Sequence, residues 1–251
     1  MASSDMYAAC SPTPWILRHN AWQKWKAQKC AVVTPVLKKP TLDASDTGNY
    51  RPISNLTFLS KLLERCAYDQ LRVYLQVNNL LPEHQSAYRR FHSTETAMLK
   101  VLANAYVAAD TGHMTLLSLL DLSAAFNTVD HSILVQRLRR SNGIVGRALD
   151  WLKSYLTGRS QFVRFNGDVS ATTPVTYGVP QGSVLGPVLF LLYAAGVISL
   201  GEECSFCAHA YADDLQVCQH VMPGSILRAI GTDGKLHLPS LSLDGQQPTA
   251  P

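Results

Sequence analysis

Apolar residues recur every three or four positions over Leu59, Leu62, Leu63, Cys66, Ala67, Leu71, Tyr74 and Leu75. That helical period predicts an amphipathic helix ending near Asn78-Asn79, ahead of Pro82. A second stripe, Met98, Leu99, Val101, Leu102, Ala105 and Tyr106, predicts a helix from about Thr94, with Gly112 where a C-terminal cap is expected. "TLLSLLD" (115–121) is short, bounded and nearly all apolar, the pattern of a buried strand ending on Asp121. Asp130 then caps a helix through Ile133, Leu134 and Leu138 to Asn142-Gly143. A further helix over about 145–157 stops at Gly158.

Extended segments surround these helices. "CAVVTPVLKK" (30–39) reads as a strand, "PTLDASDTGNY" as a polar loop, and "RPIS" as renewed extended backbone, because Pro52 biases Arg51 away from helix. The two pieces make a hairpin with Lys38, Lys39 and Arg51 at its ends. In "RSQFVRFNGDVSATTPVTYG", Asn166-Gly167 between strand-like arms signals a second hairpin. "GVPQGSVLGPVLF" leads into Val184–Leu200, 17 residues without a charge. Gly186-Pro187 interrupts its start and no basic cluster flanks it, so a buried core helix is preferred over a membrane span. "HAYADDLQVC" is a tight hairpin with Asp213 and Asp214 adjacent at its tip. The mixture of helices and hairpins makes the fold class α+β. Residues 1–30, with Trp15, Trp22 and Trp25, show no clear organisation, and 222–251 read as an irregular tail.

Composition narrows the class without deciding it. With 251 residues, 47% apolar and 16% charged, the chain is globular, of one or two domains, and not disordered throughout. The net charge of +4 is unevenly spread: residues 1–100 hold 13 Lys and Arg against 7 Asp and Glu, the remainder 9 against 11. A basic portion joined to one with clustered acids suits a polyanion-binding surface beside a cation site. An ordinary solvated basic face has the same charge balance. The six cysteines form no framework and the first residues lack a secretory pattern. Reduced thiols in an intracellular protein, nuclear or cytoplasmic and not secreted, are therefore expected. Cys204 and Cys207, with His209, Cys218 and His220 nearby, offer zinc donors, but a single CxxC is a weak signal.

The adjacent aspartates pose the chemical question, because their charges repel. A solvated turn accommodates them, since Asp favours turns through its own hydrogen bonds. A cation accommodates them too. If an antiparallel sheet brings Asp121 beside the hairpin tip, three carboxylates would hold Mg²⁺ through hard oxygen ligands. Two such ions serve an in-line phosphoryl displacement.

Four blocks, "NYRPISNLTFLSKLLER", "LLDLSAAFNTVDH", "GVPQGSVLGPVLF" and "HAYADD", together resemble the reverse transcriptases of non-LTR (LINE-type) retrotransposons of the jockey-like kind, over about residues 22–221. The resemblance implies a right-hand polymerase, with a fingers region at 31–112 and a palm at 113–221 whose antiparallel sheet packs on helices. The resemblance further implies fingers elements inserted near 160–180 and a chain truncated before the thumb. The implied activity is RNA-directed DNA polymerisation, adding dNMP to a primer 3′-hydroxyl. RNA template, DNA primer and dNTPs are the implied partners, with no membrane. Two Mg²⁺ ions are the implied cofactors, with Mn²⁺ as a substitute.

By motif, Asp121, Asp213 and Asp214 match the catalytic, metal-holding aspartates. Phe126 matches the aromatic that crowds the 2′-hydroxyl of an incoming ribonucleotide, although a core aromatic would look the same. Gln181 and Gly182 match the turn against nucleotide and template, and Arg51 a triphosphate contact that Lys38 or Lys39 assists. Tyr211 supports the hairpin near the primer end. Two departures stand out: Asn127 where the family usually has Asp, and Ala194-Ala195-Gly196 where an Asn-Asp pair is typical. The resemblance leaves an alternative, a non-enzymatic, decayed retroelement fragment that keeps the fold and some nucleic-acid affinity. A nucleotide cyclase is disfavoured, because its triphosphate-binding signals are absent.

Overall fold

The computed structural model describes residues 28–121, 126–203 and 206–226. The tryptophan-bearing N-terminal residues and nearly all of the tail expected to be irregular lie outside them. The chain divides into two units, each made of two stretches: residues 1–78 with 129–186, and 79–128 with 187–251.

Unit 1 is built on a mixed sheet. Strands β1 (Cys30–Leu37) and β2 (Tyr50–Asn55) pair antiparallel, as the basic hairpin requires. Strand β4 (Arg159–Phe165) runs parallel to β1, and β5 (Asp168–Val169) and β6 (Thr173–Val175) pair antiparallel with β4. The turn between β4 and β5 has Asn166 at φ 50° and Gly167 at φ 93°. Asn-Gly tolerates that double left-handed geometry, which is why the pair signals a hairpin in the bare sequence. What the sequence did not signal is the parallel β1–β4 pairing, set between segments far apart in the chain.

Among the described residues, three α-helices complete unit 1. Helix α1 (Phe58–Val77) starts at Thr57, whose hydroxyl accepts the Ser60 amide. Helix α3 (His131–Arg140) starts at Asp130, whose carboxylate accepts the amides of Ser132 and Ile133, so the expected cap is present. Helix α4 (Gly146–Leu156) stops before Gly158, at φ 64°. Leu134 and Leu138 of α3, and Tyr155 and Leu156 of α4, are fully buried. Burying each such leucine contributes about 1.5–3 kcal/mol.

Unit 2 contains helix α2 (Thr94–Asp110) and a three-stranded antiparallel sheet. Its order is β3 (Met114–Asp121), β8 (Asp214–Val221), β7 (Cys207–Tyr211). Helix α2 opens with a capping box between Ser93 and Thr96. One sheet face, including Leu120, Leu215, Val217, Ala208 and Ala210, packs with Ile198 of helix α5 (Gly186–Glu203). No helix among the described residues is long and apolar enough to cross a membrane.

One expectation needs correcting. The 115–121 run is not a fully buried strand, because β3 lies at the sheet edge and Leu119 is 70% exposed. Its alternate positions face opposite sides, so Leu116 and Leu120 turn away from the face that carries Leu117, Leu119 and Asp121.

Candidate active site

The acidic motif sits at the turn of the β7–β8 hairpin. Tyr211 and Asp214 are the last paired residues, and Ala212 and Asp213 form the turn between them. Ala212 has φ 57°, a left-handed conformation that costs a non-glycine residue about 1 kcal/mol. On the other side of β8, Asp214 is paired directly with Asp121 of β3. Asp121, Asp214 and Tyr211 therefore form one row across the end of the sheet, all on one face.

Cross-strand neighbours stand about 4.5–5.5 Å apart at Cβ, close enough for like charges to repel. Burial, then the charges of Asp213 and Asp121, raises the Asp214 carboxyl above its ordinary range. Tyr88 belongs to the same neighbourhood, because burial, then Asp213 and Tyr211, makes its phenol a weaker acid. Both charges acting on Asp214 are negative, which is the electrostatic condition a cation relieves. The donors are hard oxygens, suited to Mg²⁺ rather than to a soft metal. Among the described residues no three His, Cys, Asp or Glu side chains stand at metal-holding spacing, the zinc candidates included, and Cys204 lies outside those residues. The fit to a divalent cation thus rests on donor chemistry and on unrelieved repulsion.

Phe126 is half-buried in the same unit, its ring 5.2 Å from that of buried Phe190 in α5. Residues 122–125, which follow Asp121, lie outside the described residues. Asn127 is exposed.

Arg51, Gln181 and Gly182 belong to unit 1 and gather at β2. Arg51 is exposed on that strand. Three residues on, the Ser54 amide donates to the Gln181 carbonyl at 2.7 Å. Gly182, at φ 101°, lies so close that a Cβ there would sit 3.1 Å from the Ser54 carbonyl oxygen. Only glycine meets both conditions, which gives the motif glycine a physical reason. Lys38 extends from the end of β1, and its ammonium donates to the Gly48 carbonyl at 2.9 Å, bracing the loop between the two strands.

Sequence reasoning passed over Glu64. It interrupts the apolar stripe of α1 as an ordinary helical acid, yet it is fully buried beneath the turn that carries Gln181 and Gly182. Its Oε2 accepts the Val184 amide at 2.7 Å, the Leu185 amide at 3.2 Å and the Tyr155 hydroxyl at 3.4 Å. Its Oε1 accepts the Ser60 hydroxyl at 3.2 Å. Burial, then the Glu64 charge, keeps the Tyr155 phenol neutral. A carboxylate so supplied with donors ties the residues after Gly182 to α1. The only sequence signal was a charged residue among apolar neighbours on one helical face. Gln85, equally unremarked, is buried beside the acidic turn, and its oxygen accepts the Ala212 amide at 3.1 Å.

Comparison with known proteins gives a consistent picture. The profile of the family described as reverse transcriptase (RNA-dependent DNA polymerase) matches residues 36–222. The chain is 33% identical over 162 residues to a probable RNA-directed DNA polymerase from transposon X-element of Drosophila melanogaster, covering 64% of this chain and 18% of that protein. It is 31% identical over 199 residues to the RNA-directed DNA polymerase from mobile element jockey of the same organism, covering 77% and 21%. The chain thus spans about one fifth of the length of these relatives. Among solved structures, telomerase from Candida tropicalis, bound to a fragment of telomeric RNA, superposes with a TM-score of 0.55 at 11% identity. That match covers 80% of this chain and 37% of the telomerase, and at such identity the likeness is one of fold.

Proposed function

This chain belongs to the reverse transcriptase family as a jockey-like domain of the non-LTR retrotransposon kind, and on that premise we propose that it carries the nucleotidyl-transfer centre of an RNA-directed DNA polymerase. The observation that supports the reading most is the acidic row, with Asp121 opposite Asp214, Asp213 beside it, and burial, then the charges of both neighbours, raising the Asp214 carboxyl. Retention of all three aspartates, Phe126 and the Gln181-Gly182 turn supports a working centre over a decayed remnant.

In this proposal residues 31–112 form a fingers region and 113–221 a palm, with fingers elements near 160–180. The nearer partners are an RNA template, a DNA primer and dNTPs. Asp121, Asp213 and Asp214 would hold two Mg²⁺ ions, replaceable by Mn²⁺, and those ions would supply charge neutralisation to the phosphoryl transfer. The reaction forms a bond from the primer 3′-oxygen to the α-phosphorus and breaks the bond to the β-phosphate oxygen. The hydroxyl proton goes to solvent and pyrophosphate leaves. Phe126 excludes a ribose 2′-hydroxyl, and Tyr211 supports the hairpin near the primer end. On unit 1, the Arg51 guanidinium suits triphosphate oxygens through paired N–H donors, with Lys38 adding positive charge. The Gln181-Gly182 turn lies against nucleotide and template.

The test combines binding with chemistry on the 251-residue chain. Mn²⁺ titration followed by paramagnetic resonance should show binding that Asp213→Ala removes. A short RNA-templated primer should gain single dNMP residues slowly, and the same substitution should abolish the gain. Manganese binding indifferent to Asp213 would refute the proposal.

A further inference from the structure

The acidic turn is not self-supporting. The segment between α1 and α2 runs along the outer edge of β7 and pairs with it in parallel at Gln85 and Ala210. Ala210 donates its amide to the His84 carbonyl at 2.8 Å, and the Ser86 amide returns to the Ala210 carbonyl at 2.9 Å. A backbone ladder of this kind would next offer a carbonyl to the Ala212 amide, two residues along the same edge. The chain turns aside instead, through Tyr88 at φ 58°. The Gln85 side chain takes the place of the missing rung: its Oε1 accepts the Ala212 amide at 3.1 Å and the Ala87 amide at 3.0 Å.

Several features set this contact apart from an ordinary loop hydrogen bond. Gln85 is 2% exposed, so water cannot replace it. Its acceptor meets the one residue of the acidic turn that is held left-handed, Ala212, next to Asp213. The side chain is also neutral. A carboxylate there would accept the same two amides but would add a negative charge next to a cluster already repelling itself.

We propose that Gln85 is a positioning residue for the acidic turn: its side-chain carbonyl, standing in for a backbone rung, holds Ala212 left-handed and so fixes where Asp213 and Asp214 present their carboxylates. The inference rests on the polymerase reading for its purpose, although the latch itself does not. Reaction centres of this type need their ligands held to within about half an ångström, and a turn free to flip would not hold them.

The test uses amide hydrogen exchange and Mn²⁺ titration on the full chain. In the wild type the Ala212 and Ala87 amides should exchange slowly, and free exchange at Ala212 overturns the latch without any variant being made. Gln85→Leu fills the space without an acceptor. It should speed exchange at Ala212 and weaken Mn²⁺ binding, each by about tenfold, the net worth of one hydrogen bond. The Ser118 amide in the β3–β8 ladder should keep its rate, which separates positioning from general loosening. Gln85→Glu keeps the acceptor and should restore protection at Ala212. If Gln85→Leu leaves Ala212 exchange and Mn²⁺ affinity at wild-type values, the proposal fails. A wild type that binds no Mn²⁺ through Asp213 would sink the polymerase reading instead, with the exchange rates still deciding the latch.

Discussion

Asp121 of β3 and Asp214 of β8 face each other as a cross-strand pair, although they lie far apart in the chain. Burial and the charges of Asp213 and Asp121 keep the Asp214 proton bound to higher pH in the folded state than in the unfolded chain. The sign follows directly. Folding binds the extra proton, so unit 2 is more stable at low pH and loses that contribution as pH rises above the ordinary 3.8 through the raised folded value. Asp214→Asn is expected to raise the melting temperature at pH 7 without divalent ions and to flatten this dependence. Stabilisation of the wild type by Mn²⁺ should vanish in the same variant. A lower melting temperature for metal-free Asp214→Asn would contradict the repulsion argument.

Glu64 gives a sharper stability prediction, because its Oε2 serves a part-buried and a buried amide at once. Glu64→Ala leaves the Val184 and Leu185 amides without that partner and should cost about 3 kcal/mol in urea unfolding. Glu64→Gln keeps one accepting oxygen and should cost about 1 kcal/mol. Equal losses for the two variants would mean that packing, not hydrogen bonding, governs the site.

Gly182 should tolerate no side chain. Alanine there combines φ 101° with a Cβ 3.1 Å from the Ser54 carbonyl oxygen. Gly182→Ala is expected to destabilise unit 1 by about 1–3 kcal/mol, the usual cost of such backbone strain. The Ser54 amide, bonded to Gln181, should lose exchange protection, while the Asp130 cap of α3 stays protected.

His209 predicts a second, opposite pH dependence. Burial, then the positive influence of His84, Lys100 and His92, lowers its proton affinity. Its Nε2 meets the Ser86 hydroxyl at 3.1 Å, and its buried Nδ1 has no hydrogen-bond partner among the described residues. The unfolded chain therefore binds the proton more readily. Stability is full above the ordinary 6.5 and is lost as pH falls through that value toward the depressed folded one. Thermal melts between pH 7 and pH 5 should show the loss, and His209→Gln should diminish it.

Local chemistry made much of the fold legible. Asn166-Gly167 specifies its turn because only such residues accept two successive left-handed conformations. Asp130 caps α3, and the apolar stripe of α1 marks a helix, through interactions a few residues long. The reading of β3 failed at the point where local information ends. An apolar run looks the same whether its strand is central or at an edge, and the sheet order put it at an edge with Leu119 exposed.

The sequence by itself determined the elements, the caps and turns, and the residue types able to hold a hard cation, because each depends on neighbours along the chain. Tertiary structure alone decided that Asp121 meets Asp214, that Glu64 lies beneath the turn following Gly182, and that Gln85 serves Ala212. These relationships arise when distant segments exclude water together. A polar side chain that reads as solvated along the chain then becomes an obligatory hydrogen-bond partner, since a buried amide without one costs more than the bond it forms.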